Sequence, residues 1–212
     1  MDYRTRAATW LLGATAHPGG EPLTEHLLDR MALPPGAMVL DVACGAGASL
    51  RILGRRGHLA VGVDVQPDTT QAIVADAQAL PFAASSYDAV ICECALSTFD
   101  HPKQALAEML RVLRPGGVLG MTDVVLRRDL ATASVIAAVD RLTTAQAMTG
   151  YAELLRGAGF DVATTEDRRQ DAVVMLQRLR RRLPLSGTLR ECSEAVVYGS
   201  LSYGLLIARK PG

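Results

Sequence analysis

The chain has 212 residues, with 22 basic side chains balanced by 22 acidic ones and 49% apolar residues. That length suits one domain with a sizeable core, and zero net charge gives no electrostatic footprint for a nucleic acid or another polyanion. Aromatics at 4% leave little for base stacking, and no apolar run reaches the roughly 18–20 residues of a membrane helix.

The N-terminal stretch "MDYRTRAATWLLGATAHP" imitates a signal peptide, with Arg4, Arg6 and an A-x-A at 14–16. Thr9, Gly13 and Thr15 interrupt its apolar run, however, and Asp2 sits in its positive region. A short amphipathic helix is expected there instead. Residues 22–33 place Leu23, Leu27, Leu28 and Met31 at helical spacing, bracketed by Pro22 and by "LPPG" at 33–36.

From there, strands and helices alternate. "MVLDVA" (38–43) predicts a strand and 48–57 a helix ended by Gly57. "LAVGVDV" (59–65) predicts a second strand. Residues 67–82 suggest a brief helix and an edge strand near 73–75. "YDAVICECA" (87–95) is a buried strand, 102–117 a helix stopped by Gly116 and Gly117, and 118–126 a strand. Residues 129–148 look helical outside the alternation, 150–160 form a helix with a Gly C-cap, and 161–167 a strand. A helix over 171–183 and a closing strand within 195–210 complete the chain. The pattern implies an α/β fold with a doubly wound, mostly parallel sheet, which binds ligands beyond the carboxyl ends of its strands.

The chemistry concentrates in "VLDVACGAGASL" (39–50). Gly45 and Gly47 lie between a strand and a helix, where a bare backbone turns sharply and approaches a ligand. A nicotinamide fingerprint places Gly or Ala in its third position. Here that place holds Leu50, which argues against a dinucleotide pyrophosphate. Asp41 lies inside the strand, where a carboxylate is costly without a cation or donors. Asp64 ends the second strand, where an acid can accept ribose hydroxyls. Asp76, in "ADAQALPF", can accept an adenine amino group. A cationic amine, a ribose and an adenine without pyrophosphate describe S-adenosylmethionine.

These stretches, with "YDAVICECAL" and "ALAEMLRVLRPGGVLGMTD", resemble the class I S-adenosylmethionine-dependent methyltransferases, in particular the small-molecule group around the ubiquinone/menaquinone and arsenite enzymes. The likeness covers roughly 37–126 closely. It implies a Rossmann-like seven-stranded sheet with an antiparallel last strand, in one domain over 1–212. It makes adenosylmethionine the cofactor, held by Asp41, Ala43, Cys44, Gly45, Gly47, Asp64, Val65, Asp76, Ala77, Cys92 and Glu93. Ala43 replaces the first Gly of the family's D-x-G-x-G-x-G, a minor departure, since Ala is nearly as small. Segments 1–30 and 127–150 match least, and are expected to cap the acceptor.

Methyl transfer needs a base only if the acceptor loses a proton. His17, Glu93 and His101 are the catalytic candidates, with His26 and Asp100 nearby. Asp100 or His101 before Pro102 suits a helix cap, and His26 an exposed helix face. Cys44, Cys92 and Cys94 are expected near the sulfonium, the last two on one strand face. They raise the alternative of a thiol-coordinated metalloid acceptor. Free cysteine is more often small packing, no CxxC is present, and no metal is expected. Four cysteines in all suit a reducing, cytoplasmic setting. The basic run "RLRRRL" (178–183), with Arg178, Arg181 and Arg182, reads as a solvated helix face. The expected partners are a small-molecule acceptor and, in a homodimer, a second copy, with neither nucleic acid nor membrane. A non-catalytic adenosylmethionine-binding protein is the rival from another class.

Overall fold

The computed structural model describes residues 17–182 and 187–212, without the side chains of 179–182. The expected N-terminal helix and signal-like stretch lie outside the described residues, as do the Arg181 and Arg182 side chains; Arg178 is exposed, as a solvated face requires. The elements run α1 (Gly20–Met31), β1 (Met38–Val42), α2 (Ala48–Arg55), β2 (Leu59–Asp64), β3 (Ala72–Val74) and β4 (Tyr87–Glu93). A 3-10 turn (Leu96–Thr98) leads to α3 (Pro102–Val112), β5 (Leu113–Leu126), α4 (Ala133–Asp140), α5 (Met148–Gly157) and β6 (Asp161–Asp167). The chain ends with α6 (Arg169–Arg182), α7 (Gly187–Tyr198) and β7 (Leu201–Arg209).

The sheet has seven strands in the order β3-β2-β1-β4-β5-β7-β6. β7 runs antiparallel to both β5 and β6, while the pairs among β1 to β5 are parallel. The α/β Rossmann-like sheet with an antiparallel last strand is therefore present as expected. The strand order reverses between β1 and β4, which places the ligand crevice at their carboxyl ends.

Alternation along the strands separates two cores. Leu40, Val42, Val90, Cys92, Leu119 and Met121 pack with Leu106 and Met109 of α3 and with Tyr151 and Leu155 of α5. Val39, Ile91 and Val118 point the other way, toward Leu23, Leu27 and Met31 of α1 and Ile52 and Leu53 of α2. Asp41 and Glu93, in step with Val39 and Ile91, thus turn toward α1 and α2.

Several boundaries differ from the sequence expectation. α1 begins at Gly20, because Pro22 in a first turn forfeits no hydrogen bond, and it ends where Ala32 turns left-handed (φ 50°) ahead of Pro34 and Pro35. α3 ends at Val112 rather than 117, since Pro115 disfavours a helical Arg114. Gly116 (φ +75°) and Gly117 instead bend the start of β5, where the β4 register jumps from Tyr87↔Leu113 to Ala89↔Val118. Residues 67–71 form no helix; Asp68 N–H donates to Gly45 O at 3.0 Å and holds them against the glycine loop. Of 129–148, only Ala133–Asp140 forms a helix before Met148 opens α5. Gln146 bridges Val125 in an extended pairing. α7 runs on through 195–198, the start of the stretch expected to hold the closing strand. Among the described residues, no helix is long and apolar enough to cross a membrane.

Candidate active site

β1 ends at Val42, and the next five residues form the floor of the crevice. Ala43 (φ 63°), Gly45 (φ 51°) and Gly47 (φ 70°) are all left-handed. Ala43 therefore departs from the glycine pattern in conformation, not merely in size: an L-residue pays about 1–2 kcal/mol there. A Cβ added at Gly45 would meet nothing within 4 Å, so this backbone lies open to a ligand. Gly62 of β2 has the opposite reason for being bare. Its Cβ would stand 2.7 Å from Cys44 Sγ and 2.8 Å from Leu50 Cδ1, so Cys44 and Leu50 fill the space behind the loop.

Asp64 ties β2 to that loop. Its Oδ2 accepts the Gly45 N–H at 3.0 Å and its Oδ1 the Gln66 N–H at 2.8 Å. Val65, half exposed, follows at the crevice edge. Asp76 is exposed; its Oδ1 accepts the Gln78 N–H at 2.8 Å and the Gln78 side-chain amide at 3.0 Å, which lowers its pKa. Ala77 beside it is buried.

Asp41 is the anomaly. It is 2% exposed, and its Oδ2 is a buried atom with no hydrogen-bond partner. Burial first, then the Glu93 and Asp64 carboxylates, push its pKa well above the carboxylate range. An unpaired buried carboxyl is expensive, and a cation entering between Asp41 and Glu93 would relieve it. The donor set thus fits a ligand with a positive end at Asp41 and hydroxyls toward Asp64.

A methyltransferase-domain family model matches residues 40–121. Methyltransferase GfsG of Streptomyces halstedii is 30% identical over 91% of this chain and 81% of its own. A demethylmenaquinone methyltransferase of Renibacterium salmoninarum is 34% identical over 84% and 73% respectively. The chain is a class I S-adenosylmethionine-dependent methyltransferase. Among solved structures, the [4+2]-cyclase SpnF superposes with a TM-score of 0.74 at 25% identity, covering 99% of this chain and 93% of that one.

The remaining candidates of this methyltransferase separate into two groups. Glu93, at the end of β4, accepts from Thr24 Oγ1 at 3.0 and 3.2 Å and from Ser49 Oγ at 2.8 Å. His17 is buried, with Nε2 3.7 Å from Glu93 Oε1. His101, by contrast, is exposed and acts on Asp76, whose charged form it favours. The structure therefore brings His17 to Glu93 but sends His101 to the far end of the crevice. Neither His101 nor Asp100 caps α3 with a side chain; the His101 carbonyl accepts the Gln104 and Ala105 N–H groups. His26 does not face solvent freely, since its Nε2 meets Glu166 Oε2 at 2.7 Å.

The cysteines part company as well. Cys92 lies in the core of α3 and α5, whereas Cys94 packs on the α1 and α2 side. Alternation predicts a shared face, but Cys94 is left-handed (φ 55°) and ends the strand. Burial pushes the thiols of Cys44 and Cys94 up to about 12 and that of Cys92 well above its ordinary value.

One residue escaped the sequence reading. Asp123 of β5 is 1% exposed, and burial raises its pKa to about 6. Its Oδ1 accepts from Ser97 Oγ and Val124 N, each at 2.7 Å, and its Oδ2 from Ser97 N at 2.8 Å. Thr144 N and Oγ1 then grip the Ser97 carbonyl at 2.6 and 2.9 Å. A carboxylate inside the apolar run "VLGMTDVVL" carried the signal that singled out Asp41.

Proposed function

We propose that this methyltransferase transfers the S-adenosylmethionine methyl group to an oxygen, carbon or sulfur nucleophile of a small organic molecule, by in-line displacement. The orphaned Asp41 Oδ2 carries the reading, because it asks for a cation at the switch point of a glycine-loop sheet. In this proposal Asp41 and the 43–47 backbone, with Cys44, hold the methionine end, flanked by Cys92–Glu93. Asp64 takes the ribose; Val65, Asp76 and Ala77 take the adenine. The bound cofactor supplies an electrophilic methyl group. The chain's own residues align the reactants and keep water out. Segments 1–30 and 127–150 are assigned to the acceptor cap; within the described residues, Thr144 Oγ1 ties the second to the Ser97 carbonyl at 2.9 Å.

Calorimetry tests the reading. Adenosylmethionine and adenosylhomocysteine bind and NADH does not; Asp64→Ala weakens binding by about 1.5–3 kcal/mol, as for lost hydrogen bonds to a charged acceptor. NADH binding without adenosylmethionine binding overturns it. Consumption of adenosylmethionine with pooled phenols, quinones, thiols and arsenite then separates an enzyme from a silent binding protein. A metalloid acceptor finds less support. It needs thiolates, which the burial of Cys44, Cys92 and Cys94 disfavours. Among the described residues, no three His, Cys, Asp or Glu are grouped as a metal ion needs. Tight trivalent arsenic binding, abolished by any one of the three substitutions, would reverse that preference.

A further inference from the structure

The row His17–Thr24–Glu93 has an unusual hydrogen count. His17 Nδ1 stands 2.8 Å from the Pro18 carbonyl, which only accepts, so Nδ1 carries a hydrogen. His17 Nε2 stands 3.3 Å from Thr24 Oγ1, and the same Oγ1 stands 3.0 and 3.2 Å from the Glu93 oxygens. Thr24 has one hydrogen to give and faces two acceptors. Two arrangements satisfy the row. In one, Thr24 donates to an ionised Glu93 while Nε2–H donates to Thr24. In the other, a protonated Glu93 donates to Thr24 while Thr24 donates to a bare Nε2. They differ by moving one proton along the row through the hydroxyl, with no heavy atom displaced.

We propose that Glu93, Thr24 and His17 form a proton relay that serves methyl transfer to an acceptor carrying an ionisable hydrogen. The acceptor's X–H proton passes to a Glu93 oxygen as its X–C bond forms and the sulfonium S–C bond breaks. The S–C electron pair stays on sulfur. That Glu93 oxygen is free because, on donor binding, Thr24 has already given its hydrogen to His17 Nε2 and taken the one from Glu93; the acceptor's proton fills the vacated place and the positive charge of the sulfonium ends on the row, so protons and charge balance. This rests on the adenosylmethionine reading above. Glu93 touches the reacting atoms; Thr24 and His17 are positioning residues. Ser49, at 2.8 Å from Glu93 Oε2, fixes the carboxylate without joining the transfer.

The neighbourhood gives the relay a direction. The carboxylates that face Glu93 are Asp41 from β1, whose Oδ2 is unpaired, and beyond it Asp64 from β2. A cation settling at Asp41 favours the ionised form of Glu93 and so drives the shared proton to His17. Donor binding thus leaves Glu93 ready to accept. The relay selects phenols, enols, thiols or amines, which lose a proton on methylation, over an acceptor that attacks through a lone pair alone.

The test reads the His17 ring nitrogens by 15N spectroscopy as adenosylmethionine is added, in wild type, Thr24→Ser, Thr24→Val and Glu93→Gln. The Nε2 signal is expected to move toward its protonated position in wild type and in Thr24→Ser, which keeps the hydroxyl. It is expected to stay put in Thr24→Val and Glu93→Gln. A response equal in all four proteins, or absent from wild type, overturns the relay. Calorimetry on the same samples keeps the two readings apart. Wild type that binds adenosylmethionine with an unresponsive Nε2 loses the relay alone; wild type that does not bind it loses the cofactor reading and the relay together.

Discussion

Asp41 and Asp123 are two buried carboxylates, one at the end of β1 and one near the end of β5. They are 2% and 1% exposed. Asp123 accepts from three donors and anchors the turn after β4. Asp41 keeps an oxygen without a partner and faces two further carboxylates. Burial is equal, yet one carboxylate completes the architecture and the other is left incomplete. The difference teaches where a charged ligand fits: the β1–β2 crevice keeps an unpaired carboxylate oxygen beside left-handed backbone, while both oxygens of Asp123 are paired within the fold.

Removing the Asp41 charge breaks the comparison most strongly. Asp41→Asn is expected to raise the melting temperature of the ligand-free protein most at high pH, where the buried carboxyl would have to ionise against burial and its Glu93 and Asp64 neighbours. The same change should weaken adenosylmethionine binding by about 3–5 kcal/mol, the scale of breaking a buried ion pair. Melting and calorimetry on one preparation check both signs; unchanged affinity would make Asp41 a second Asp123.

Asp123 gives a pH signature. Its folded pKa of about 6 lies above the ordinary 3.8, so the native state holds an extra proton between the two. That contribution is fully present below the unfolded value and is lost as pH rises through about 6. Wild type should lose up to about 3 kcal/mol of stability over that window relative to Asp123→Asn. Urea titrations of both proteins across the interval measure it, and parallel curves would count against it.

Two backbone substitutions sharpen the picture at smaller scale. Gly62→Ala should destabilise by about 1–3 kcal/mol through overpacking against Cys44 and Leu50, and should weaken cofactor binding by shifting the loop. Ala43→Gly should stabilise by about 1 kcal/mol by relieving the left-handed alanine, which chemical denaturation resolves.

The crevice at the ends of β1 and β2 was the legible part. Its signals are local: a glycine loop, an acid inside a strand, an acid at a strand end, all within residues 39–77. The sheet followed from strand–helix alternation. What stayed hidden is non-local. Thr24, Ser49 and His17 meet Glu93 across separations of 69, 44 and 76 positions, and no periodicity records that. α7 was missed because "AVVYGS" continues smoothly in composition into β7, so the break at Gly199 (φ +80°) left no compositional trace. Cys94 was placed on the wrong face because one left-handed residue cancels alternation.

The position of β7 also bears on how the chain assembles. This final strand fills the slot between β5 and β6 and pairs along both of its edges. During vectorial synthesis β1 to β5 leave the ribosome first and can pair in register with one another. β5 and β6 keep open hydrogen-bonding edges until Leu201–Arg209 emerges. The β1–β4 side of the sheet is therefore ready early, and the other side closes only once β7 is made. A nascent chain stalled before residue 201 carries the finished β1–β4 crevice beside a gap open to unwanted strand partners.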